Sequence, residues 1–113
     1  KEGDAAETIP GHTLAQFFDE FGVDPQRSRV LLKVDCEGAE RVIIEDRRSE
    51  EAMLSCIQAS LEMHYCDGRG SYKWADAISR ADAEAWIAGL VASDVGSVSY
   101  APDRLGGMLV VRP

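Results

Sequence analysis

The stretch "LLKVDCEGAE", residues 31–40, carries an apolar run into Asp35, and Glu37, Gly38 and Glu40 follow at once. A second stretch, "CIQASLEMH" at 56–64, ends on Glu62 and His64. Carboxylates set this close repel one another, and folding alone supplies no reason to gather them. A histidine among them is well suited to removing a proton near neutral pH. If the two stretches are neighbouring parallel strands, Asp35 and the Glu62–His64 pair meet at one end of the sheet. Open α/β sheets bind their ligands beyond that end. A plainer role is open to each group. Acids such as Asp35, Glu37 and Glu40 near the start of a following helix stabilise it by about 0.3–1 kcal/mol. His64 can simply hydrogen-bond Glu62 or a neighbouring loop.

The elements that must position these groups follow from the spacing of apolar residues. Residues 1–12 form a polar lead-in with Pro10 and Gly11 as turn residues. Thr13 and Gln16 then have capping-box spacing. Leu14, Phe17, Phe18 and Phe21 lie on one helical face, and Gly22 is a natural stop. "VLLKVD" (30–35) reads as a strand covered on both faces. Gly38 opens a short helix through about Asp46, and Ser49 caps a further turn; Arg47 and Arg48 read as a solvated pair at the end of the short helix. In 56–64, Ile57, Ala59, Leu61 and Met63 alternate with polar residues, the pattern of a strand with one apolar face. "YCDGRGSY" is a glycine-bearing loop, in and beside which Tyr72 and Trp74 stand where they could cover a ligand or pack on the surface. A helix starts at Ser79, with Ala83, Trp86, Ile87, Leu90 and Val91 as its buried stripe. "SVSYA" and "MLVVR" flank "PDRLGG" as a closing hairpin. The alternation of helix and strand predicts an α/β fold: parallel strands with crossover helices, finished by an antiparallel pair.

Composition narrows the function classes. The chain has 113 residues, one domain's length, and 45% of them are hydrophobic, enough for a packed core. A formal charge of -8 argues against sequence-independent binding to nucleic acid or to an anionic membrane. No apolar run has the length of a membrane span. The three cysteines have no framework spacing, which fits a reducing cytoplasm. Lys1 in place of Met points to a chain trimmed or cut from something longer. His12, Cys36, Cys56, His64 and Cys66 offer no short Cys-x-x-Cys or His-x-x-x-His pair, so a zinc site is not expected from spacing. Cys56 and Trp86 read as core.

"LLKVDCEGAE" resembles K-[IV]-D-x-E-G-A-E, the signature of the FkbM family of S-adenosylmethionine-dependent methyltransferases. "TLAQFFDEFG" resembles the family's T-L-D-x-F helix, and "ASLEMH" its E-x-H strand. The closing hairpin is similar to the reversed last strand of the class I methyltransferase sheet. Cys36 and Gln16 depart from the family pattern, which usually has an apolar residue and an Asp there. The resemblance spans Thr13 to Arg112 and implies the C-terminal half, strands four to seven, of a Rossmann-like class I methyltransferase fold over residues 13–113. It implies that Asp35, Glu37 and Gly38 border the cofactor, S-adenosylmethionine. It implies that Glu62 and His64 line the side of a small-molecule methyl acceptor, a small metabolite or sugar methylated on oxygen, with His64 as the base. The family's glycine-rich donor loop and ribose-gripping carboxylate would precede "TLAQFF", where this chain has only its polar lead-in. On that account these residues alone should hold the donor weakly, and the exposed edge of "VLLKVD" should favour a homodimer. The alternative is a non-catalytic remnant of the fold that binds something else.

Overall fold

A computed structural model describes residues 11–67 and 76–113. Residues 1–10 of the lead-in and the tip of the glycine-bearing loop, with Tyr72 and Trp74, lie outside the described residues. The chain is an α/β unit in the order α1 (Leu14–Phe21), β1 (Leu31–Val34), α2 (Glu40–Glu45), α3 (Arg47–Leu54), β2 (Gln58–His64), α4 (Arg80–Ala92), β3 (Ser97–Pro102) and β4 (Gly106–Arg112).

The sheet is mixed, with strand order β1-β2-β4-β3. β1 and β2 pair in parallel, Leu31 opposite Gln58 and Val34 opposite Leu61, as the alternating pattern predicts. α2 and α3 together make the crossover between them. β4 runs antiparallel to both of its neighbours and lies between β2 and β3, not at the edge. The turn that returns β4 is held by Asp103, whose Oδ1 accepts the backbone N–H groups of Leu105 and Gly106 at 2.8 Å each.

One face of the sheet is buried. Leu32, Val34, Ala59, Leu61, Met63, Leu109 and Val111 point to it and pack with Ile43, Met53, Ala83, Ile87 and Leu90 from the helices. The residues that alternate with them, among them Leu31, Lys33, Ser60, Glu62, Met108 and Arg112, are exposed or half-buried. "VLLKVD" is therefore not covered on both faces, and Leu31 is 71% exposed. Its apolar run reads as a fully buried strand because four residues are too few to display alternation.

α1 begins with the expected capping box: Thr13 Oγ1 accepts the Gln16 N–H, and Gln16 Oε1 accepts the Thr13 N–H. Gly22, in the left-handed conformation at φ 68°, ends it. Its buried side differs from the expected stripe. Ala15 and Phe18 are buried, whereas Phe17 and Phe21 are exposed and lie against each other. The cause is α3, which takes the Ala15–Phe18 side. There the Ala15 N–H donates to Ser49 Oγ at 3.1 Å, and Arg48 reaches Asp19 at 2.9 Å.

Ser49 is thus not a cap. Asp46 caps α3, and Ser49 is buried in its first turn, bonded to that cap and to α1. Arg47 and Arg48 open α3 and do not trail α2. In α4, Ser79 caps as expected, and Ala83, Ile87 and Leu90 are buried. Val91 falls outside this narrow stripe and is exposed. Trp86 is half-buried and donates its indole N–H to Glu50, tying α4 to α3. Cys56 is core, and burial pushes its thiol pKa up. Among the described residues no helix is long and apolar enough to cross a membrane.

Candidate functional site

The parallel pairing brings the carboxyl ends of β1 and β2 side by side, and the acids of both strands meet there. Asp35 leaves β1 with its side chain 48% exposed. Glu62 and His64 stand on the alternate face of β2, opposite Met108 and Gly106. His64 Nε2 lies 3.8 Å from Asp35 Oδ1. Single donor atoms from Asp35, Glu62 and His64 all fall within 4.8 Å of one another. A hydrogen bond with Asp35, then the charge of Asp35, pushes the Glu62 carboxyl above its ordinary range; His64 and Lys33 pull it the other way. Two carboxyls so placed favour a cation or a shared proton between them.

Glu40 organises this cluster from behind. It is 1% exposed, at the first turn of α2. Its Oε1 accepts both the His64 backbone N–H at 2.9 Å and the ring Nδ1 at 2.8 Å. Its Oε2 accepts the Gly38 N–H at 2.8 Å. A carboxylate only accepts, so Nδ1 carries the proton, and in the neutral ring the Nε2 lone pair faces Asp35. With only 12% of its side chain exposed, His64 is fixed in one orientation.

The turn after β1 makes this reach feasible. Glu37 and Gly38 take positive φ, 51° and 107°. A Cβ on Gly38 would come within 3.1 Å of the Ala77 side chain, so the position needs glycine for both conformation and space. Cys36, in the same turn, has its thiol pKa raised by partial burial and then by Glu40. An open groove of ≈ 550 Å³ runs along the outer side of β1, lined by Leu32, Asp35, Cys36, Val42 and Phe17 among others, with His12 at its α1 end.

The chain matches no family model, no curated protein and no solved structure.

Of the residues singled out in the sequence, Asp35, Glu62 and His64 converge, and Glu37 and Gly38 form the turn beneath them. No cysteine joins the cluster, and among the described residues Cys36, Cys56 and Cys66 are free thiols. The plainer role offered the histidine Glu62 or a neighbouring loop as a partner; the structure adds Glu40, which is neither. By its place in the sequence Glu40 is a helix-capping acid. One signal was available: it precedes Ile43 and Ile44 by three and four residues, the spacing of one helix face, so a helix that buries these isoleucines also buries Glu40.

Proposed function

We propose that this sheet edge is the acceptor side of an S-adenosylmethionine-dependent methyltransferase domain of the FkbM type, acting on a hydroxyl of a small metabolite or sugar. The observation that carries the reading is His64, held by buried Glu40 with Nε2 turned toward Asp35 and Glu62. The motif of residues 31–40 and the reversed last strand add support.

S-adenosylmethionine, when bound, supplies a methyl group on a positively charged sulfur. The half-exposed carboxylate of Asp35, on the groove along β1, suits that charge, and Glu62 beside it adds to the same potential. His64 Nε2 would take the proton from the acceptor hydroxyl. Glu40 then steadies the imidazolium, as an acid behind a catalytic histidine does. The test is a transfer assay on a polypeptide that joins this domain to a donor-binding half. Asp35→Ala and His64→Gln should each lower methyl transfer to hydroxylated acceptors by about a hundredfold. Arg47→Ala, a change in an exposed pair with Glu51, should leave it unchanged. Equal losses for Asp35 and Arg47 would return Asp35 to a capping role.

A second reading is a self-association module, favoured by the free edge of β1. Among the described residues that edge is unpaired, and Leu31 on the strand and Phe17 and Val42 on the groove beside it are exposed. Lys33 alone opposes pairing with a second copy. Sedimentation at low micromolar concentration should then show a dimer that Leu31→Lys converts to monomer. A monomer in the unaltered chain would remove this reading.

A further inference from the structure

We propose that Asp35, Glu62 and His64 form a binding site for a divalent first-row metal cation, of which Mn2+ is the representative. Two carboxylate oxygens and one imidazole nitrogen are a donor set suited to such an ion, with water in the remaining positions. The three donors lie within 4.8 Å of one another. A six-coordinate ion with bonds of ~2.1 Å wants neighbouring donors ~3 Å apart. Side-chain rotation of half-exposed Asp35 and of Glu62 closes that difference, while His64 stays where Glu40 holds it.

Glu40 separates this cluster from an ordinary acidic patch. It lies outside the donor set, buried, and accepts the hydrogen bond of His64 Nδ1, which leaves Nε2, on the Asp35 side, as the ring's donor atom to a metal. Metal-ligating histidines are oriented in this way, by a carboxylate or carbonyl on the far nitrogen. The carboxyl pair points in the same direction. Asp35 and Glu62 bring two carboxylates to the same few ångströms, and a dication between them removes their repulsion. A missing Cys-x-x-Cys or His-x-x-x-His pair bears only on ligands close in sequence. This set comes from two strands and is assembled only by their pairing.

The inference needs three donors and stands apart from methyl transfer. The two meet at one atom, because a cation on Nε2 excludes a proton there. With the ion bound, an acceptor hydroxyl would be ionised by coordination, its proton passing to solvent, and not by the ring. Metal binding and methyl transfer are measured separately, so either can fail without the other.

Calorimetric titration of the chain with MnCl2 alone is the experiment, read alongside the electron spin resonance of free Mn2+. One saturable site is expected. Asp35→Asn and Glu62→Gln, both at the solvent-facing side, should each weaken it by about tenfold or more without changing the circular dichroism. Glu51→Gln, an acid on the exposed side of α3, should leave it unchanged. Proton NMR should show the His64 ring signals broadened by Mn2+ well below one equivalent, before those of His12. Absence of a saturable site would overturn the proposal. So would a site that survives Asp35→Asn and Glu62→Gln at full strength, or one lost equally with Glu51→Gln, since either means general attraction to an acidic surface.

Discussion

Glu40→Ala is expected to destabilise the fold by about 3 kcal/mol or more. The substitution strips acceptors from three N–H groups at once: the Gly38 amide, the His64 amide and the His64 ring. Each buried donor left without a partner costs about 1–3 kcal/mol, and the side chain is too enclosed for water to replace all three contacts. For a domain of this size such a loss lowers the melting temperature by roughly 10 °C or more. Glu40→Gln keeps one carbonyl oxygen and should lose less than half as much. Thermal unfolding followed by circular dichroism checks both. An alanine variant melting within a degree or two of the parent would mean that Glu40 does not organise the edge, and the orientation assigned to His64 would fall with it.

The second large effect is at Gly106. A Cβ there would sit 1.7 Å from the Met63 carbonyl oxygen and 2.6 Å from its carbon. Those are backbone atoms of the central strand, so no side-chain rotation relieves the collision. Gly106→Ala must push β4 off β2 at the register position of His64, and a loss of at least about 3 kcal/mol is expected, a large share of the total stability of a small domain. Gly89→Ala is the matched comparison. It lies inside α4 with nothing within 4 Å of the added methyl, and there alanine should stabilise by about 1 kcal/mol through helix propensity. Urea denaturation of the two variants should therefore move the midpoint in opposite directions. Movement in the same direction would contradict the close approach of β4 to β2.

The two effects share an origin. His64 is held on one side by Glu40 and on the other by the strand that Gly106 allows to approach. Either substitution should thus disturb the Nε2 position even in a variant that still folds. The first acts through α2 and the turn after β1, the second through the last strand of the chain.

Local pattern was sufficient for much of this architecture. The Thr13–Gln16 box, the Gly22 stop, the Ser79 cap and the alternation of 59–63 each rest on contacts within a few residues, so they are legible along the chain. The same holds for the hairpin, whose turn is closed by Asp103 on its own neighbours. That Asp35, Glu62 and His64 should meet also followed from sequence, once two apolar runs ending in acids were taken as parallel neighbours. Where partners come from afar, local pattern misleads. Phe17 and Phe21 have the spacing of a buried face, but α3 packs on Ala15 and Phe18 instead. Ser49 has the chemistry of a cap and serves as a buried link between two helices. The insertion of β4 between β2 and β3 depends on which strand edge is free when the hairpin docks, a property of the assembled sheet. That Glu40 holds His64 was likewise decided in three dimensions. A buried carboxylate is tolerated only where several donors converge on it, and these donors come from a turn and a strand that the fold alone brings together.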